Sequence, residues 1–309
     1  MSSFIVVEVP ATSANLGPGF DCLGMALDLW NRFEISVGGD MLEIACEGEG
    51  AQDIPKNQQN LLCKSMRLGL AGEKRLSGLR VRSMNNIPVY SGLGSSATAI
   101  VGGLLAASAL RKKPLEKEEL LDLAATIEGH PDNVAPAIFG GFVASAVADS
   151  GRVEAVTLPV PPEVRIVVAV PRLKLETRES RGLLPVSVSM ESATYNLSRT
   201  ALWVAAVARG ELEMLRTATR DALHQDSRSK LVPGFRSVLQ AAMEAGALGA
   251  ALSGSGPSVV AFARESSTDT VRDAMRAGFS RAGVDTRVLV TRPAPTGARL
   301  ILPDISDKP

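Results

Sequence analysis

The chain has 309 residues, 45% of them hydrophobic, which is enough for two domains of about 150 residues each. Its 33 Lys and Arg balance 33 Asp and Glu, so charge gives no reason to expect a nucleic-acid partner. Apolar stretches are broken by Gly, Pro or charge well before the roughly 18 residues a membrane span needs, so no membrane association is expected.

The start has no basic stretch leading into an apolar one, so no signal peptide is expected. Cys22, Cys46 and Cys63 form no close pair and no metal-ligand spacing, which fits free thiols in a reducing cytoplasm. Ala- and Leu-rich runs alternate with short Val/Ile segments, suiting an α/β or α+β protein.

In chain order, residues 4–9 read as an opening strand that Pro10 stops. Residues 27–37 and 41–46 read as antiparallel strands joined by Gly38, Gly39 and Asp40, a strong hairpin signal. Residues 60–70 have helical spacing, and 79–82 suit a short strand. A glycine turn leads into a long apolar helix ending at Leu110, a second helix covers 116–128, and 139–148 return to strand composition. A seam of turn residues at 149–151 and 159–162 places the domain boundary near 158, giving units 1–158 and 159–309.

Beyond the seam, 165–170 read as strand and 176–184 as a short helix. Residues 190–208 and 211–223 read as consecutive helices, and 235–244 as another. Strands at 248–252 and 259–262, a helix at 268–277 and a strand at 286–290 complete a two-layer α+β pattern. The polar end, 306–309, is expected to fray.

The turn before the long helix carries the chemistry. Two glycines and three serines follow a short extended run, so that backbone N–H groups and a helix start can converge on an anion. No Gly-Lys-Ser/Thr occurs, which excludes the Walker A loop. Gly92 to Ala97 literally fits G-x-G-x-x-A, with Glu116 roughly 20 residues on. Yet the preceding strand is short and contains Pro88, and the acid follows Arg111, Lys112, Lys113 and Pro114 instead of ending an apolar strand. A dinucleotide site is therefore not expected. Two further Gly/Ser-rich loops, 10–21 and 253–258, and the run His130, Pro131, Asp132, Asn133 make a composite signal that no single loop would give.

Together these segments resemble the three motifs of the GHMP small-molecule kinases, in order and over nearly the whole chain. Residues 88–97 match the family's ATP-phosphate loop, 10–21 its first, substrate-side motif, and 249–258 its glycine-rich third motif. The runs 10–21 and 128–137 are most like the branch whose acceptor is an amino acid. The resemblance implies a two-domain α+β fold in which each domain packs a mainly antiparallel sheet against helices. It also implies ATP and Mg²⁺ as cofactors, L-homoserine as the small-molecule substrate, a place in threonine biosynthesis, and a homodimer.

By the same resemblance, Pro88, Val89, Tyr90, Ser91, Gly92, Leu93, Gly94, Ser95, Ser96, Ala97 and Thr98 bind nucleotide, with Ser253 and Gly254 of the third motif closing the site. The Ser96 hydroxyl and Glu128 are implied to hold Mg²⁺, and oxygen ligands suit that ion. An acid at a helix C-terminus is disfavoured by the dipole, which suits a compensating cation, with a solvated surface acid as the alternative. Asn15 and Asp21 resemble the ammonium-side residues. Arg181 and Arg228 resemble the carboxylate-side pair, where a guanidinium fork suits a carboxylate. Thr177 lies one helical turn before Arg181 and can face the same site, while Arg178 stays open as an alternative.

His130 either bonds substrate or organises its loop, and Asp132 and Asn133 divide in the same way. With only His130 and His224 in the chain, and His224 on a charged segment, no zinc site is expected. Phosphoryl transfer runs on positioning and charge stabilisation, so no general base is required. A sibling kinase for mevalonate or a sugar, or a non-catalytic metabolite binder on the same fold, stands as the alternative.

Overall fold

The protein is represented by a computed structural model that describes residues 3–70 and 78–301; the fraying expected at 306–309 lies outside these residues. A long antiparallel pair opens the chain, β1 (Ser3–Ala14) with β2 (Leu23–Val37). Pro10 does not end β1. The register shifts between Pro10 and Ala11, and a bulge is where a strand tolerates a residue without an N–H.

Next come β3 (Leu42–Gly48), α1 (Leu61–Gly69) and β4 (Leu79–Asn85). The hairpin expected between β2 and β3 does not form. β4 inserts between them, antiparallel to β2 and parallel to β3. The insertion is supported on both flanks: Leu79 and Val81 are buried, while Arg82 reaches Glu34 on β2 at 3.7 Å and Glu47 on β3 at 3.0 Å. The link at Gly38 and Gly39 thus spans a strand instead of turning tightly.

α2 (Ser95–Leu110) and α3 (Lys117–Glu128) follow. α3 starts with a capping box between Glu116 and Glu119 and stops at Gly129, whose φ is 92°. The next segment departs from expectation. Residues 131–139 form a helix, α4 (Pro131–Phe139), and strand begins only at β5 (Phe142–Val147), which hairpins with β6 (Val153–Leu158). Pro131 takes the first helical position, where its missing N–H costs nothing.

The second half contains β7 (Val164–Pro171), α5 (Thr177–Gly182) and α6 (Met190–Arg209). The helix expected over 211–223 is cut short: a 3-10 turn at Leu212–Met214 runs directly into α7 (Leu215–Ala218), and the helical run stops there. Asp221 ends it, because its carboxylate accepts the N–H groups of Leu223, His224 and Gln225 and so starts α8 (Gln225–Arg228). α9 (Phe235–Glu244), β8 (Gly249–Leu252), β9 (Val259–Arg264), α10 (Thr268–Arg281) and β10 (Thr286–Thr291) complete a four-stranded antiparallel sheet ordered β10-β7-β9-β8. A last strand, β11 (Arg299–Ile301), returns to β1 in the first sheet. The α+β class with two mainly antiparallel sheets holds.

β7 explains how the halves join. Ile166, Val168 and Val170 pack with Trp203, Phe262 and the first half's Phe142, while Val167 and Ala169 face Val238, Val271 and Phe279. Trp203 stacks on Phe142 at 4.8 Å and meets Phe262 edge-on at 5.3 Å. Among the described residues, no helix is long and apolar enough to cross a membrane.

Candidate active site

A cleft of about 510 Å³ collects all three glycine-rich loops, a volume within the usual range for small-molecule sites. The loops are tied to one another through backbone. Thr12 N–H donates to Leu93 O at 3.1 Å, and Gly254 N–H to Ala14 O at 3.0 Å. Ser253 Oγ donates to Gly92 O at 2.7 Å, and Thr12 Oγ1 to Asn133 Oδ1 at 2.8 Å. A Cβ on Gly92 would lie 2.2 Å from Ser253 O, so only glycine permits this approach. Asn15, Leu16, Asp21 and Tyr90 are the non-glycine residues with left-handed backbone among those described. Three of them line the cleft, and such strain gathers where a site over-determines the chain.

The phosphate loop ends at Gly94, which precedes α2 with φ 69° and offers no side-chain cap. The first N–H groups of this sixteen-residue helix are therefore left for an anion. Ser96, exposed on the first turn, donates its hydroxyl to Glu128 Oε1 at 2.7 Å. Burial pushes the Glu128 carboxyl above its usual range, with the Ser96 hydroxyl and His130 pulling the other way. Burial would lower the His130 imidazole, but its hydrogen bond to Asp132 and the charges of Asp132 and Glu128 outweigh that and raise it. Asp21, His130 and Asp132 bring one potential ligand atom each to within 4.8 Å of one another.

Across the cleft, Arg181 forks onto Asp21, with Nη1 to Oδ2 at 3.0 Å and Nη2 to Oδ1 at 2.6 Å. Arg228 is 1% exposed, donates to Gly254 O at 3.1 Å, and is lowered to about 10 by burial and by Arg181. Phe20 lies under both guanidinium groups, 5.5 Å from that of Arg181 and 5.3 Å from that of Arg228. Thr177 Oγ1 is 3.3 Å from Ser255 Oγ, and Ser180 donates to Ser255 O at 2.9 Å, which docks α5 on the third loop.

Of the residues singled out from sequence, Asn15, Asp21, the run from Val89 to Ser96, Thr98, Glu128, His130, Asn133, Thr177, Arg181, Arg228 and Gly254 all line this cleft, as does Arg178. Three stand behind its wall. Ala97 is in the core, Pro88 offers its carbonyl to Ser91 Oγ at 2.6 Å, and Ser253 holds Gly92. One end of the cleft was not foreseen. Phe33, Ile54, Pro55, Leu61, Asn31 and Asn60 form it, drawn from strand, loop and helix with no shared motif. His224, which lies on a charged segment of the sequence, is 1% exposed and bonded to Gly17 O.

The fold and cleft define a small-molecule kinase. The chain belongs to the GHMP kinases: the family's N-terminal domain matches residues 60–141 and its C-terminal domain residues 203–281. It is 47% identical to the homoserine kinase of Moorella thermoacetica over 96% of this chain and 99% of that one. It is 45% identical to that of Carboxydothermus hydrogenoformans over 95% and 96%. The crystal structure of homoserine kinase from Cytophaga hutchinsonii superposes with a TM-score of 0.87 at 30% identity, covering 96% of this chain and 97% of that one.

Proposed function

We propose that this chain transfers the γ-phosphoryl group of ATP to the side-chain hydroxyl of L-homoserine, giving O-phospho-L-homoserine and ADP. The observation that carries this is the placing of Asp21, Arg181 and Arg228, the charges an α-amino acid needs, in one cleft with the N-terminus of α2. In the reaction the hydroxyl oxygen bonds Pγ as the bond from Pγ to the bridging oxygen breaks. ADP leaves with that electron pair, and the hydroxyl proton is released.

Ser96 and Glu128 fit Mg²⁺, because they offer two oxygens 2.7 Å apart beside the helix start. When bound, the ion supplies neutralisation of polyphosphate charge. The chain's own part is positioning: N–H groups from Gly92 to Ser96 orient the phosphates. Asn15 and Asp21 meet the ammonium, and Arg228 and Arg181 the carboxylate, with Thr177, His130 and Asn133 on the cleft wall beside them. Arg181 and Asp21 are paired in this structure, so the zwitterion exchanges one ion pair for two. No residue is assigned as a general base, since phosphoryl transfer is served by orientation and charge.

The unit 1–158 is taken as the phosphate-binding part and 159–309 as the part that completes the acceptor site. A cytoplasmic home suits the free thiols of Cys22, Cys46 and Cys63, and a homodimer rests on family likeness, to be checked by sedimentation. The deciding experiment is a coupled ADP-release assay over homoserine, threonine, serine, mevalonate and galactose. Turnover highest with homoserine is expected, and activity on mevalonate with none on homoserine would overturn the proposal.

A further inference from the structure

His224 is buried behind Arg228, which lines the cleft, and nothing in the phosphoryl-transfer scheme uses it. It stands at the start of α8, where Asp221 fixes its backbone by accepting the His224 N–H at 2.9 Å. Its ring has two hydrogen-bond partners, and both dictate its state. Nε2 is 2.7 Å from Gly17 O, and a carbonyl only accepts, so Nε2 carries the hydrogen. Nδ1 is 3.2 Å from Arg228 Nη1, and a guanidinium only donates, so Nδ1 presents its lone pair. One neutral tautomer satisfies both.

The surroundings hold it there. Burial, then the Arg228 charge, press the imidazole below its ordinary range against the opposing pull of Asp221, the Gly17 carbonyl and Asp21. Asp221 Oδ1 lies 3.8 Å from Nε2, and the Phe20 ring faces the imidazole at 5.4 Å.

These contacts close a circuit. Gly17 belongs to the loop that carries Asn15 and Asp21. Asn15 Nδ2 donates to Gly254 O at 3.0 Å, and Arg228 Nη1 donates to that same oxygen at 3.1 Å. Arg228 returns to Gly17 through His224. Arg228 Nε has no hydrogen-bond partner in the structure, while the residue lines the cleft, so its guanidinium keeps capacity for an anion. We infer that His224 is a positioning residue for acceptor recognition, seating Arg228 and setting its distance from the ammonium-side loop by bridging Gly17 O and Arg228 Nη1. This rests on the reading of the acceptor as an amino acid and deepens it. The role belongs to binding of the carboxylate, not to phosphoryl transfer.

The test compares L-homoserine with its methyl ester, which keeps the hydroxyl and ammonium but lacks the carboxylate charge. His224→Leu is expected to raise the homoserine KM about tenfold and to shrink the preference for the acid over the ester. The ATP KM and kcat should stay within about twofold. Arg228→Ala should shrink the same preference, and the double variant should lose little more than Arg228→Ala alone, since the two residues act as one unit. His224→Asn, which restores an acceptor at the Nδ1 position but not the tie to Gly17, should recover part of the preference; His224→Gln, which restores only the donor to Gly17, should recover none.

A folded His224→Leu with an unchanged homoserine KM, or with homoserine and ATP KM rising together, would sink the inference. The tautomer is checked on the unaltered protein by ¹⁵N NMR: a protonated Nδ1 would refute it without any variant. Failure of the unaltered protein to phosphorylate homoserine would instead count against the proposed function, and the two failures stay distinguishable.

Discussion

Glu128 ends α3 with its carboxylate in the cleft wall, a costly place for a negative charge because burial and the helix C-terminus both oppose it. The cost is offset when a cation sits beside the Ser96 hydroxyl, and on that ground Glu128→Gln is expected to lower turnover by about 100-fold while leaving the homoserine KM nearly unchanged. Steady-state rates at saturating Mg²⁺ check it, and full activity there would remove Glu128 from the ion's site. Arg228→Ala removes charge-assisted hydrogen bonds and should raise the homoserine KM about 10–100-fold, with the ATP KM constant; a normal homoserine KM contradicts its role. Such residues were singled out through the motif resemblance, and their types suit the roles it implies: an acid for a cation, a guanidinium for a carboxylate. His224 was not, since a histidine among charged neighbours in sequence looks solvated until the fold turns it against Gly17. Asn31 was missed for a similar reason. Its Oδ1 accepts the N–H groups of Asn86 and Ile87 at 2.9 and 3.2 Å, and its Nδ2 donates to Thr98 Oγ1 at 3.0 Å, all across a distance no local pattern encodes.

At the scale of elements, the phosphate loop keeps its shape by leaning on the third loop. Gly92 and Gly151 test this, since both have positive φ, 76° and 82°, but only Gly92 has a neighbour where a Cβ would go. Gly151→Ala should cost about 1 kcal/mol for left-handed backbone alone. Gly92→Ala should cost about 3 kcal/mol, because Ser253 O must also move, and it should raise the ATP KM. Urea unfolding of both variants measures the difference, and equal costs would show that the two loops do not support each other. Helices with full periodicity and clear caps, such as α1 after Asn60 and α3 after Glu116, were readable from sequence. α4 was not, because Pro131 and Pro136 disguise a nine-residue helix whose apolar residues are buried almost all round. The false hairpin at Gly38 and Gly39 shows the limit of turn signals. They mark a change of direction, while the pairing here goes to β4, whose Arg82 meets acids on both sides.

Over the whole molecule, the two sheets share one apolar cluster around Trp203, and the first loop rests on the same helix: Trp203 Nε1 donates to Leu16 O at 2.9 Å, and Asn196 Nδ2 to Pro18 O at 3.0 Å. Unfolding of either half therefore exposes the other's core and breaks the loop over 10–21, so stability and the integrity of the cleft should titrate together. His224 gives the handle. Its folded value is depressed by burial and by Arg228, so the unfolded chain binds the proton that the folded one refuses. The stability it contributes is complete above its ordinary value of 6.5 and declines as pH falls toward the folded value. Asp28 and Asp273, also depressed, act only below their ordinary 3.8, and His130, raised by Asp132 and Glu128 against burial, acts above 6.5 with the opposite sign. Glu128, raised by burial, acts above its ordinary 4.5, likewise with the opposite sign, so His224 is isolated by difference. Between pH 6.5 and 5.5 it contributes a slope in which the unfolding free energy falls with acidification, at no more than about 1.4 kcal/mol per pH unit for a single proton. In His224→Gln that slope should flatten. Urea denaturation across the window measures both proteins, and an equal slope in the two would mean that His224 takes up its proton without disturbing the fold.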